Sequence, residues 1–231
     1  TPSAPQQYVI SYVTGGNIKD IDAGIAVIDG YEPDGSVRAY YPKGRDKMPT
    51  TNWNRPTHDA QRFGTNILTP IIGGRFPYPK SLYAVKDCLR FFVANKPEAL
   101  VIDFFAGSGT TLHAINLMNA EDGGHRRCIL VTNNEVSNAE EKSLVSRGYQ
   151  PGDEEWSNLG IARYVTWPRT VCSIEGHDVN GKPLKGDYIT SGEEPMHMAD
   201  GFKANAAFFK LGFLDKNAVA LGRQFKELLP V

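Results

Sequence analysis

Residues 101–111 read Val-Ile-Asp-Phe-Phe-Ala-Gly-Ser-Gly-Thr-Thr, and this stretch decides the fold. An apolar run over 99–105 carries one acid, Asp103, and breaks into Ala106-Gly107-Ser108-Gly109, after which an amphipathic helical pattern starts at Thr110. A buried strand, a tight glycine turn and a helix N-terminus form the ligand-cradling corner of an open α/β sheet. Gly107 and Gly109 let the backbone bend sharply and let a ligand approach its N–H groups. Two familiar glycine loops fit poorly. A dinucleotide fingerprint needs glycine at position 112, where Leu112 stands, and a P-loop needs a lysine after its last glycine, where Thr110 stands. The corner suits a nucleoside without a pyrophosphate.

Outward from this corner, residues 81–94 space Leu82, Val85, Leu89, Phe92 and Val93 as one face of a helix, with Ser81 as its N-cap. Lys80 at that end opposes the helix dipole; a bound carboxylate would resolve the conflict, and a solvated lysine is the alternative. Residues 98–105 read as a parallel strand, 110–120 as a helix stopped by Gly123-Gly124, and 128–132 as a second buried strand. The two strands are expected to be parallel and adjacent. Glu135, after the second strand, is placed either to accept a ribose diol or to serve as charge at the next helix N-terminus. Asp103, a lone acid in an apolar strand, needs partners: loop amides or a ligand ammonium.

The remainder is less specific. Residues 1–20 read as a loose polar lead-in, and 24–29 with 36–41 as a hairpin around Glu32-Pro33-Asp34-Gly35. Between residues 38 and 62, Arg38, Lys43, Arg45, Lys47, Arg55 and Arg62 outweigh Asp46 and Asp59, with Tyr40, Tyr41 and Trp53 interleaved. That stretch fits a phosphate-gripping surface or a solvated loop with aromatic anchors. Helices are expected at 139–147 and 156–171, the latter kinked or ended by Pro168. Residues 173–201 read as a surface excursion, 203–214 as a strand and 217–229 as a final helix.

Composition bounds the class. The 231 residues are 41% hydrophobic and 22% charged, ordinary for a globular chain of one large or two small domains. Cys88, Cys128 and Cys172 are scattered in apolar contexts and read as buried free thiols of a reducing cytoplasm. The histidines lack metal-ligand spacing, so no metal is expected. No apolar run approaches the roughly 18 residues of a membrane span, and no export signal is present. A net charge of −1 leaves room for only a local nucleic-acid patch.

Asp-Phe-Phe-Ala-Gly-Ser-Gly-Thr-Thr resembles the S-adenosylmethionine motif of amino-methylating DNA methyltransferases. With Arg75-Phe76-Pro77-Tyr78-Pro79-Lys80-Ser81 upstream, and Gly201-Phe202-Lys203-Ala204-Asn205 and Phe208-Phe209-Lys210-Leu211 downstream, residues from about 50 onward are similar to the modification subunit of Type III restriction-modification systems, which methylates adenine at N6. The resemblance implies a Rossmann-like α/β methyltransferase sheet, partial here, in three αβα layers. It implies S-adenosylmethionine held by Lys80, Ser81, Asp103, Phe104, Phe105, Ala106, Gly107, Ser108, Gly109, Thr110 and Glu135. It also implies DNA contacts from Arg38, Lys43, Arg45, Lys47 and Arg55. The implied domains are 1–63 (end of a target-recognition and hairpin region), 64–170 (cofactor core) and 171–231 (α+β extension).

The family handles its target base with an Asp-Pro-Pro-Tyr tetrapeptide, and no Pro-Pro pair occurs in this chain. The expectation is therefore the cofactor-binding, C-terminal piece of a longer cytoplasmic enzyme, with no catalytic residues of its own. The implied partners are DNA, the N-terminal half of the methyltransferase, and a restriction subunit or a second copy. Two other classes remain: a non-catalytic module that completes a partner chain, and a nicotinamide oxidoreductase, against which Leu112 counts.

Overall fold

In the computed structural model the described residues are 15–33, 37–42, 52–53, 55–192, 194–212 and 216–220. They fall into two compact units, Thr1–Trp53 and Asn54–Val231.

In the first unit α1 (Gly15–Asp22) precedes β1 (Val27–Tyr31) and β2 (Val37–Tyr40), an antiparallel pair. The end of the expected loose lead-in is thus helical from Gly15, and its residues 1–14 lie outside the described residues. Tyr41 Oη donates to Asp20 Oδ2 at 2.7 Å and ties this helix to the residue after β2. The register shifts between Ile28 and Gly30, a bulge that brings Asp29 beside Arg38.

The second unit runs through a 3₁₀ turn (Pro56–His58) and a π-helical stretch (Gln61–Thr65) into α2 (Asn66–Ile72) and α3 (Leu82–Val93). Then come β3 (Leu100–Asp103), α4 (Thr110–Asp122), β4 (Arg127–Leu130), α5 (Asn138–Ser146) and α6 (Glu154–Asn158). A second π stretch (Ala162–Thr166) leads directly into α7 (Trp167–Glu175). Pro168 has no N–H to offer the Tyr164 carbonyl four residues back, which accepts Arg75 Nη1 at 3.2 Å, and the helical run changes pitch there without breaking. β5 (Asp187–Tyr188), β6 (Met196–His197), a 3₁₀ turn (Met198–Asp200) and α8 (Lys216–Ala220) complete the order.

β3 and β4 are parallel and adjacent, Leu100 opposite Arg127 through Asp103 opposite Leu130. The architecture is α/β with two-stranded sheets. Helices α2, α3, α4 and α7 supply most of the core, which includes Leu68, Ile71, Leu82, Ala114, Leu117 and Cys172. Alternate residues on the other side of the parallel pair stay open: Leu100, Ile102 and Ile129 are each nearly half exposed.

Three expectations are corrected. The 173–201 excursion is not only surface: Leu184, Tyr188 and Met198 are buried in the core. Its anchor is an ion pair beneath it, Lys86 Nζ to Glu121 Oε1 at 2.7 Å, with Lys86 also donating to the Ile189 carbonyl at 3.3 Å. Tyr83 Oη accepts the Ile189 N–H from the same side. Residues 203–212 form no strand, since no neighbouring strand edge pairs with them among the described residues; Phe208 instead packs its ring on Trp167. Cys88 is exposed and Cys128 half-buried, leaving Cys172 as the buried thiol. The final helix is described only over Lys216–Ala220, and the rest of the 217–229 expectation lies outside the described residues.

Arg126 closes the C-terminal ends of α3 and α4. Its side chain is fully buried and donates to the Val93 and Ala94 carbonyls and, through a two-pronged fork, to Asp122. Removing it takes the side-chain donor from the Val93 and Ala94 carbonyls and leaves Asp122 with solvent and the Gly124 N–H. Arg126→Met is expected to lower unfolding free energy by about 3 kcal/mol, read from urea denaturation, with Arg126→Lys failing to restore it because an ammonium lacks the fork.

Candidate functional site

The glycine turn has the geometry its sequence implied. Gly107 and Gly109 adopt φ of 51° and 76°, values open mainly to glycine. Asp103 ties the turn together: Oδ1 accepts the Phe105 N–H at 3.0 Å and Oδ2 accepts the Thr111 hydroxyl at 2.6 Å. The lone acid of the strand thus satisfies itself on loop and helix groups. Cys128, on the paired strand, feels both burial and the nearby Asp103 charge, which push its thiol up to about 12.

A cleft of about 540 Å³ opens between α3, the C-terminal end of β3 and the start of α4. Lys80, Ser81, Asp103 and Phe104 line it, together with Thr111, Cys88 and His58. Its size suits a nucleoside-sized ligand. Ser81 caps α3, accepting the Ala84 N–H at 3.2 Å while its hydroxyl donates to the Thr57 carbonyl at 2.7 Å. Lys80 is exposed at that helix end. Gly64 permits the approach of this segment: a β-carbon there would lie 2.6 Å from the Pro79 carbonyl oxygen.

The other expected site residues do not line this cleft. Phe105 is 91% exposed, and Ala106 donates its N–H to Val131 at 3.2 Å, extending the strand pairing into the turn. Ser108 and Thr110 are buried and turn their hydroxyls inward. Glu135 is exposed, and its carbonyl accepts the Ile161 N–H at 2.8 Å. Of the expected DNA contacts, Arg38 is paired with Asp29 and Glu32, and Arg55 with Asp87 at 2.8 Å. Lys43, Arg45 and Lys47 lie outside the described residues.

Sequence reasoning missed the groups beneath the turn. Arg169 on α7 reaches 61 residues back to Ser108, donating to its carbonyl at 3.3 Å and its hydroxyl at 3.0 Å, and donates to Thr110 Oγ1 at 2.8 Å. Thr166 Oγ1 donates to the Gly107 carbonyl at 2.6 Å. His113 stands behind Arg169, within 2.8 Å of Tyr188 Oη and edge-on to the Phe202 ring. The only local sign of these roles was a charged residue within the apolar pattern of residues 156–171.

The chemistry of the cleft lining allows an adenosyl cofactor with a carboxylate end: Lys80 stands at a helix N-terminus, a terminus of the kind that attracts carboxylates, and the exposed Phe104 ring offers an apolar face.

A family model described as DNA methylase, of the N6/N4 class, matches residues 6–144, more than half of the chain and including the hairpin, the cleft and β4. The chain belongs to this DNA methylase family. It is 42% identical over 114 residues to the Type II methyltransferase M.KpnI of Klebsiella pneumoniae, covering 49% of this chain and 25% of that protein. It is 33% identical over 198 residues to the StyLTI Mod subunit, a Type III restriction-modification enzyme of Salmonella typhimurium, covering 79% and 28%. The EcoPI Mod subunit of Escherichia phage P1 is 33% identical over 104 residues, covering 45% and 16%. The chain therefore spans between about one-sixth and just over a quarter of the length of these relatives. No helix among the described residues is long and apolar enough to cross a membrane.

Burial and the Arg169 charge hold His113 well below its ordinary 6.5. The unfolded chain therefore takes up this proton first as pH falls. The contribution is intact above pH 6.5 and is lost below it, at about 1.4 kcal/mol per pH unit until the folded value is reached. His177 and His197, raised by hydrogen bonds to Asp178 and Asp187, act in the opposite sense from the surface. Comparing native chain with His113→Asn cancels them. Urea unfolding at pH 5.5 to 7.5, conditions set by the histidine range of about 6.5, should give a shallower slope in the variant; equal slopes would show that His113 is not proton-linked.

Proposed function

We propose that this chain is the S-adenosylmethionine-binding portion of a DNA adenine-N6 methyltransferase of a restriction-modification system, acting in the cytoplasm. The observation that carries the reading is one cleft lined by Lys80 and Ser81 at the start of α3 and by Asp103 and Phe104 at the end of β3, beside the left-handed Gly107–Gly109 turn. The resemblance of those motifs to methyltransferases, and membership of the family, support it. Residues 64–170 form the cofactor core in this reading, and β3 and β4 belong to a wider three-layer Rossmann-like sheet.

When bound, the cofactor supplies an electrophilic methyl group to the exocyclic amine of a DNA base. Lys80 and the α3 terminus attract its carboxylate; Phe104 and Phe105 offer apolar faces to its adenine; Glu135 accepts its ribose hydroxyls. The turn from Ala106 to Thr110 presents backbone rather than side chains. Arg38, Lys43, Arg45, Lys47 and Arg55 hold DNA phosphates. The groups that orient the target amine are absent from this sequence, which has no Pro-Pro pair, so they come from a further methyltransferase segment.

A second reading is favoured by a separate observation. The open apolar side of β3–β4, with Leu100, Ile102 and Ile129, suits a module that completes a partner methyltransferase chain, because parallel sheets are ordinarily covered on both faces.

Calorimetric titration with S-adenosylmethionine and NAD is expected to show binding of the first alone. Glu135→Ala should weaken that binding by about 1.5–3 kcal/mol; unchanged affinity would make the acid structural. The isolated chain is expected to transfer no labelled methyl to duplex or single-stranded DNA. Turnover that disappears in Gly107→Ala would reveal a second base pocket in this chain.

A further inference from the structure

Arg169 is 1% exposed, yet no carboxylate among the described residues forms an ion pair with it. Burial, opposed in part by Tyr188, lowers its guanidinium to about 10. An apolar side chain of similar volume would fill such a site at lower cost, because burying an uncompensated charge is expensive. What the guanidinium adds is its hold on the turn: one nitrogen, Nη1, reaches the Ser108 carbonyl and the hydroxyls of Ser108 and Thr110. Thr166, one helical turn before Arg169, holds the Gly107 carbonyl at 2.6 Å.

Two successive carbonyls of the turn are thus drawn toward α7. In a trans peptide the C=O and the following N–H point to opposite sides. The Ser108 N–H is therefore directed away from Thr166, to the outer side of the turn. The Gly109 N–H, opposite the Ser108 carbonyl, is satisfied by the Ala106 carbonyl at 2.8 Å.

His113 completes the arrangement as an acceptor. Arg169 donates from Nε and Nη2 toward His113 Nδ1, both at 3.4 Å. A guanidinium has no acceptor, so Nδ1 is unprotonated and the ring proton sits on Nε2, directed at Tyr188 Oη.

We propose that Arg169 is a positioning residue of the cofactor turn: from inside the core it fixes the carbonyls and hydroxyls of Ser108 and Thr110, with Thr166 beside it, so that the outward amide geometry binds S-adenosylmethionine. The hydrogen bonds that Nη1 donates to the turn while Nε and Nη2 are held on His113, not the bulk of the side chain, set the cofactor affinity. This rests on the cofactor reading above.

The test uses the whole chain with Arg169→Met, Arg169→Lys, Thr166→Val and Thr166→Ser. Calorimetry measures S-adenosylmethionine affinity, and hydrogen exchange without cofactor measures the peptide over residues 104–112 against peptides over 66–72 and 82–93. Arg169→Met is expected to weaken binding about tenfold or more and to speed exchange in 104–112 while sparing the two helical peptides. Arg169→Lys should recover little, because a single ammonium nitrogen cannot bond the turn while separate nitrogens of the same rigid plane are held on His113. Thr166→Ser should bind as the native chain does, and Thr166→Val more weakly. Native affinity and exchange in Arg169→Met would overturn the proposal, as would uniform loosening of all three peptides, which marks a packing role. If Arg169→Met does not fold, the Thr166 pair decides, and equal affinities in it refute the proposal. If the native chain binds no S-adenosylmethionine, the cofactor reading fails, while the exchange comparison still decides whether Arg169 holds the turn.

Discussion

The Asp103 carboxylate carries the corner on which the second unit depends. It ends β3, accepts the Phe105 N–H and the Thr111 hydroxyl, and so sets the direction in which α4 leaves the turn. The backbone agrees with it: Val131 donates to the Asp103 carbonyl at 2.8 Å, and Ala106 returns a bond to Val131. Strand, turn and helix are locked as one piece, with Gly107 and Gly109 in the left-handed conformations that this path demands. Because α4 is buried along most of its length, the helices packed on it take their places from this corner.

From below, the same turn is held by a second layer of polar groups that has little in common with an apolar core. Arg169, His113 and Tyr188, from α7, α4 and β5, form a connected chain of donors and acceptors, and Thr166, from the π stretch before α7, bonds the turn beside it. Burial makes each of these bonds matter more, since an unpaired polar group in such a place has no water to turn to. Tyr188 reaches this position only because the 176–202 segment is pinned by Lys86, Glu121 and Tyr83. A region rich in glycine, proline and charge thereby becomes part of the core beneath the candidate site.

The outer side of the parallel pair is the counterpart of this well-satisfied interior. One face of β3–β4 is packed by helices and the other shows Leu100, Ile102 and Ile129. The chain matches 25% of M.KpnI and 28% of the StyLTI Mod subunit, so these relatives are several times longer than it is; parallel strands are ordinarily covered on both faces.

The local pattern alone determined the strand–turn–helix–strand order, the left-handed glycines and the Ser81 cap, because each follows from neighbours within a few residues. It also determined family membership, carried by the motif around Asp103 and by those at Arg75–Ser81 and Gly201–Leu211. Tertiary structure decided what lies far apart in the chain. Arg169 under Ser108 and Tyr188 beside His113 depend on α7 and β5 packing against α4. The exposure of Cys88 and the irregular course of 203–212 depend on which faces and edges find partners. Periodicity records whether a residue is apolar and how often; it does not record which distant group will satisfy a buried guanidinium, because that choice is made only when the helices meet.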